Sequence, residues 1–309
     1  MPWFFSWTGV VFFVAGSFLF GTVGLNLGYH RLLSHRSFKC PKWFERAVAL
    51  LGVCALQGTP GRWVALHRIH HQYADQEEDP HTPLVSFLWA HFEWTLTVDC
   101  RNWFSTYSKH APDLMRDRFY LRMERGYFWL VVYLLHAGAI CAAGFATGWL
   151  LPQGSAIASL QMAASVVVWG VFLRTIYVWY ATWSVNSFTH TFGYRNYETS
   201  DQSRNNWLVA LLVSGEGWHN NHHADAKCAA AGHRWWEFDL TFMVIRGLAL
   251  VGLAREIVPR HVRYEARPKL AVVRADGSRS SINTTDLMTN DESPPNRDVA
   301  DYQQQDRAG

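Results

Sequence analysis

Three long stretches of this chain carry almost no charge, and such a chain has few ways to fold. Residues 3 to 29 contain no Lys, Arg, Asp or Glu, and residues 127 to 151 and 156 to 180 form two further apolar runs joined by Leu151-Pro152-Gln153-Gly154-Ser155. Each is long enough to cross a bilayer as one helix of about twenty residues. A signal peptide would also be apolar at the N-terminus, but this one lacks a basic n-region and a small-residue cleavage site. A fourth apolar segment, 47 to 66, is broken by Gly52, Gln57, Gly58, Pro60, Gly61 and Arg62. The low share of charged residues (17%) and the sixteen Trp suit a membrane protein with an interfacial aromatic belt. A net charge of +3 without a basic run gives no case for nucleic acid. The five cysteines have no paired spacing and read as reduced packing residues facing the cytosol.

Histidine is the second constraint. Nine of the fifteen lie in four short clusters: His30 and His35; His67, His70 and His71; His190, four residues after Asn186; and His219, His222 and His223. In an HxxHH pattern the three imidazoles share one face of a helix, as a metal site requires. The spacing in the first box turns His35 about 140° from His30 on an ideal helix, so the membrane helix is expected to end or bend there. His136 lies alone in the second apolar run and reads as a helix-packing residue.

If all four clusters serve one site, they lie on one side of the bilayer. The broken segment at 47 to 66 is then expected to dip into the interface and return, while the runs at 127 to 180 cross and come back. No Lys or Arg occurs in residues 1 to 29 or 127 to 173. By the positive-inside rule the histidine face is therefore cytosolic and the short N-terminus is outside. The resulting expectation is an all-α integral membrane protein with spans at about 8–29, 127–151 and 156–180. A cytosolic helical cap (30–126 and 181–263) carries the histidine boxes. After the last box, Trp235 and Trp236 lead into an apolar stretch ending near Leu253 and suit a segment lying on the membrane surface. The polar tail, 264–309, has too few apolar residues to fold alone and is expected to be disordered. The Asn283-Thr284-Thr285 sequon carries no weight on a cytosolic tail.

Neutral imidazole suits iron, zinc, copper and nickel. A zinc site takes three or four protein ligands, so nine histidines exceed one ion and suit two. Two redox-active irons sharing dioxygen would use them all. Asp75, Asp79, Glu216, Glu237 and Asp239 are candidates for orienting the ligand rings. Glu216 leads, one turn before His219.

The chain resembles the membrane-bound fatty acid desaturases, in the Δ9 branch shared by acyl-CoA and cyanobacterial acyl-lipid desaturases. The likeness runs from about residue 5 to 250 and rests on Gly28-Tyr29-His30-Arg31-Leu32-Leu33-Ser34-His35, His67-Arg68-Ile69-His70-His71, Asp79-Pro80-His81, Asn186-Ser187-Phe188-Thr189-His190 and Gly215-Glu216-Gly217-Trp218-His219-Asn220-Asn221-His222-His223. It implies a di-iron centre with His30, His35, His67, His71 and His222 on one iron. His70, His190, His219 and His223 would hold the other, with Asn186 reaching it through water. The implied reaction is O2-dependent removal of hydrogen from two adjacent methylenes of a saturated acyl chain, leaving a cis double bond. A separate ferredoxin or cytochrome b5-type carrier supplies the electrons, and a bacterial inner membrane is the expected location.

Two departures from that family matter. Its members usually carry another membrane helix before the first one here, so either the true start lies upstream or three crossings leave the N-terminus outside. Animal acyl-CoA desaturases place an Arg-Asp pair just before the second box, where this chain has Ala65 and Leu66, which favours an acyl-lipid substrate over acyl-CoA. A histidine-box hydroxylase or ketolase would share the metals but return oxygen to its lipid. A metal transporter should bury ionisable groups within its spans, and here only His136 and Arg174 do so.

Overall fold

The computed structural model describes residues 4–97, 103–151, 154–262, 270–273 and 279–282. The chain divides into two units, Met1–Val262 and Arg263–Gly309. The first is helical throughout its elements; the second contains one antiparallel pair, β1 (Leu270–Val273) with β2 (Arg279–Ile282). This strand pair is an addition to the all-helical expectation. Both strands lie within 264–309, the tail expected to be disordered; the rest of it, 264–269, 274–278 and 283–309 with the sequon, lies outside the described residues.

Three helices are long and apolar enough to cross a membrane: α1 (Trp7–Ser34), α8 (Phe128–Leu150) and α9 (Ala156–Phe188). Two outrun the apolar segments that announce them. The apolar run stops where polar residues begin, but the helix goes on wherever protein rather than lipid surrounds it. Asn26, His30 and Arg31 are all buried, so α1 extends to Ser34. On the same principle α9 extends past residue 180 and carries Asn186 in its last turn. Helices α8 and α9 form a close hairpin, and a Cβ at Gly148 would stand 2.6 Å from the Ser159 Cα.

Between α1 and α8 come α2 (Lys42–Val53), α3 (Pro60–Tyr73), α4 (Trp89–Glu93 running into Trp94–Thr97), α5 (Trp103–His110), α6 (Pro112–Met115) and α7 (Arg118–Glu124). The broken apolar segment is the end of α2, a turn, and the start of α3. Twelve residues of α2 rise only about 18 Å, well short of the hydrocarbon thickness. The turn is held by α9: Arg174 donates to the Cys54 carbonyl at 2.7 Å and Trp179 to that of Ala55 at 2.9 Å. Arg174 also meets His136 Nε2 at 2.8 Å and lies 4.4 Å from the Phe20 ring centroid. His136 thus ties α8 to α9 in a packing role.

After α9 the chain forms α10 (Trp207–Leu212), α11 (His219–Ala224) and α12 (Leu240–Leu250). Trp235 is 92% exposed, beside the half-exposed Trp236 and Phe238. Residues 254–258 return to the first box, exchanging backbone hydrogen bonds between Lys39 and Arg255 at 2.7 and 2.8 Å. The four described cysteines are free.

Candidate metal centre

The end of α1 is wound more widely than an α-helix. Its last eighteen residues, Ser17–Ser34, follow the five-residue hydrogen-bond spacing, and the His35 N–H donates to the His30 carbonyl at 3.2 Å. That bond stacks residue 35 above residue 30, so the two rings come to 4.8 Å between centroids. The 140° offset is therefore removed by wider winding as well as by the helix ending at Ser34. Such π-type turns are frequent at functional sites.

The second and fourth boxes use ordinary helical spacing. His67, His70 and His71 share one face of α3, and His219, His222 and His223 lie on the single helical turn of α11. His190 stands two residues past the end of α9. All nine rings point an Nε2 atom inward. The pairs are His30 with His222 at 3.0 Å, His35 with His67 at 2.7 Å, His71 with His222 at 2.9 Å, His70 with His223 at 3.2 Å and His190 with His219 at 3.0 Å. The nitrogens form two groups. One contains His30, His35, His67, His71 and His222; the other contains His70, His190, His219 and His223.

Four rings meet a carboxylate on the other side. Asp79 bonds His70 Nδ1 at 2.9 Å, Asp75 bonds His190 Nδ1 at 3.0 Å and Asp201 bonds His223 Nδ1 at 2.8 Å. Glu216 Oε2 faces His30 Nδ1 at 2.8 Å, while its Oε1 accepts from Arg31 at 3.0 Å. Arg31 in turn grips Asp239 through both terminal nitrogens, at 3.0 and 2.9 Å. Of the five acidic candidates, Asp75, Asp79 and Glu216 touch the cage, and Asp239 acts on it through Arg31. Glu237 instead accepts from Asn221 at 2.7 Å and Tyr194 at 2.7 Å, supporting the loop around α11.

Two participants escaped the sequence reading. Asp201 is 22 residues from its partner in a polar loop, and no periodicity marks it. His81 is buried beside His70, with ring centroids 4.4 Å apart and Nδ1 3.5 Å from Asp79. The Asp79-Pro80-His81 motif was its only signal.

Burial among other imidazoles pushes His35, His67, His71, His219 and His222 well below the ordinary histidine value. Burial lowers His70 and His223 as well. Burial alone would raise the Asp75, Asp79 and Asp201 carboxyls, but their bonded imidazoles outweigh it and hold all three below the usual range. At neutral pH these seven rings are thus neutral, with the ionised Asp79 and Asp201 behind His70 and His223. A ring that spends its Nδ1 proton on a carboxylate keeps a bare lone pair at Nε2. His70 and His223 both do this, and their lone pairs face each other at 3.2 Å. Such facing acceptors repel unless a cation lies between them. With metal–nitrogen bonds of about 2.1 Å, ligands at right angles stand about 3.0 Å apart and tetrahedral ones about 3.4 Å. The observed 2.7–3.2 Å lies within reach of rings sharing one ion. The donor set fits metal ions.

Beside the cage a cavity of about 330 Å³ opens between α3 and α9, bounded by His67, Asn186, Trp63, Trp179 and Trp183. Asn186 therefore stands on the cavity wall. A second cavity of about 490 Å³ shares Leu56, Gly58, Arg62 and Trp179 with the first and continues to Trp129 and Glu124. Glu124 is pushed up to about 6 by burial.

The profile of the fatty acid desaturase family matches residues 5–253. Among curated proteins, an sn-2 palmitoyl-lipid 9-desaturase of Nostoc sp. (strain 36) is 41% identical over 259 residues, 83% of this chain and 84% of the relative. An sn-1 stearoyl-lipid 9-desaturase of Synechocystis sp. is 41% identical, covering 83% of this chain and 74% of its own length. An icosanoyl-CoA 5-desaturase of Limnanthes douglasii is 36% identical, covering 83% and 67%.

Proposed function

The chain belongs to the fatty acid desaturase family, a membrane oxidoreductase that introduces a double bond into acyl chains, and on that premise we propose how its own residues do this work. Two iron ions bind, one held by His30, His35, His67, His71 and His222, the other by His70, His190, His219 and His223. Asn186 completes the second site through water. The support is the inward convergence of nine Nε2 atoms, in two groups, beside a tryptophan-walled cavity.

Bound iron would supply O2 activation and the removal of hydrogen from two neighbouring, unactivated methylenes. The protein's contribution is placement. Asp75, Asp79, Asp201 and Glu216 hold their rings in the tautomer that leaves Nε2 free, and such outer partners tune ligand basicity. Trp63, Trp179 and Trp183 give the acyl chain an apolar wall and exclude water. Gln57 fixes that wall by donating to Thr182 at 3.0 Å and accepting from Trp63 at 3.4 Å.

The saturated chain is carried on a glycerolipid in this reading. The support is Ala65 and Leu66 before the second box and the palmitoyl-lipid and stearoyl-lipid relatives. The double bond forms at the ninth carbon and is cis. A separate ferredoxin or cytochrome b5-type protein delivers electrons, and the cage faces the cytosol of a bacterial inner membrane, in line with the distribution of Lys and Arg.

Expression of the full chain in a desaturase-deficient host tests the reading, with lipid analysis and metal content measured beside a His222→Ala variant. The expected result is unsaturated acyl chains from the wild type, none from the variant, and less iron bound by the variant. Oxygenated lipids in place of unsaturated ones, or equal product from both chains, would overturn it.

A further inference from the structure

The two cavities adjoin at Leu56, Gly58, Arg62 and Trp179, which line both, and only the first touches the histidine cage. A substrate with one polar end and one long apolar chain must therefore be oriented within them. Histidines apart, the charged side chains lining this space are Arg62 and Glu124. Glu124 is already engaged: it accepts from the Thr59 hydroxyl and, at 2.7 Å, from the Gly61 N–H. There it sits at the N-terminus of α3, where a carboxylate is favourable.

Arg62 is different. Half-buried and lining both cavities, Arg62 bonds Glu124 through its backbone N–H and feels that carboxylate's charge, but its guanidinium takes no hydrogen-bond acceptor among the described residues. A charged group against apolar walls is costly without an acceptor. The local backbone makes room for it. Gly58 has φ +109, and a Cβ there would press within 3.3 Å of the Arg62 Cδ. Arg62 also lies five residues before His67 on α3, a rise of about 7.5 Å along a rigid helix. The guanidinium and the imidazole thus leave one rigid element, and both line the first cavity.

We propose that Arg62 holds the carbonyl oxygen of the acyl ester or thioester, so that the methylenes presented to the cage are counted from that end. The carbonyl is common to glycerolipid and CoA donors, so the role does not depend on which carries the chain. Arg62 is a positioning residue in this scheme, and the proposal rests on the desaturase reading above. Loss of a hydrogen bond to a charged group weakens binding by about 1.5–3 kcal/mol, or about tenfold to a hundredfold in KM.

The test uses the full-length, metal-loaded protein with saturated chains of several lengths, offered on phosphatidylglycerol in one arm and on CoA in the other. Double-bond position, KM and kcat are read for the wild type, Arg62→Lys and Arg62→Leu. The wild type is expected to keep one position, counted from the carbonyl, at every chain length. Arg62→Lys should keep that position. Arg62→Leu should scatter it and raise KM about tenfold or more, with metal content unchanged. If the leucine variant loses its metal, Arg62→Gln, similar in size and polarity, carries the same comparison. Wild-type regiochemistry and KM in the neutral variant would overturn the role of Arg62 while leaving the desaturase reading intact. No unsaturated product from the wild type would bring down both.

Discussion

His223 shows how much of a candidate metal ligand's setting lies beyond its neighbours in sequence. Its place on the face of α11 follows from spacing, but its tautomer is set by Asp201, which no spacing could have announced. The same holds for the division of the nine rings into five and four. It depends on how α1, α3 and α11 approach one another, which is a tertiary fact. Outer partners of this kind typically change metal affinity 10- to 100-fold. Asp201→Asn is therefore expected to weaken metal binding about tenfold or more without removing a ligand. Competition with a chelator of known affinity measures it, and an unchanged constant would show that the His223 tautomer is held by something else.

At the scale of elements, the informative departure is the wide winding of α1. Apolar length was enough to find this helix, and box spacing was enough to require something unusual near its end. Neither could say that the hydrogen-bond ladder itself would shift to five residues. That shift aligns His30 with His35 and leaves their rings 4.8 Å apart. Adding one alanine between Leu32 and Leu33 would break the register while leaving every ligand in the chain. Such a variant should lose metal from the five-histidine group and keep it in the other, so that iron per protein falls to about half. Two irons per chain in the variant would mean that the alignment can be recovered by other means. The turn between α2 and α3 carries a similar lesson. Its glycines and proline marked a break, but the buried Arg174 that pins it to α9 looked in sequence like a charge stranded near a span's end.

The whole molecule behaves as a folded frame around neutral, buried imidazoles, and this gives its stability a direction with pH. Histidines held below their ordinary value in the folded state bind protons more readily once unfolded. Stability then rises with pH wherever the unfolded chain carries the extra protons. For His81, lowered to about 3 by burial, and the cage rings lowered with it, that window lies below the ordinary histidine value of about 6.5. Thermal unfolding of the metal-free protein should be flat above about pH 7 and fall steadily as the pH drops below about 6. A midpoint that rises on acidification would contradict the neutral-ring description. On this scale the sequence was most legible: three apolar helices and clustered histidines predicted a helical membrane frame gathered about one centre. The strand pair in the second unit was not foreseen, because Leu270–Val273 is too short a run to stand out from polar surroundings.

The cage joins residues from nearly opposite ends of the first unit, His30 and His222 being 192 positions apart. At about 5–20 residues per second, the earlier imidazole leaves the ribosome about 10–40 s before its counterpart. Until then a nascent chain offers only fragments of either cluster, so neither can be completed before His222 and His223 have emerged.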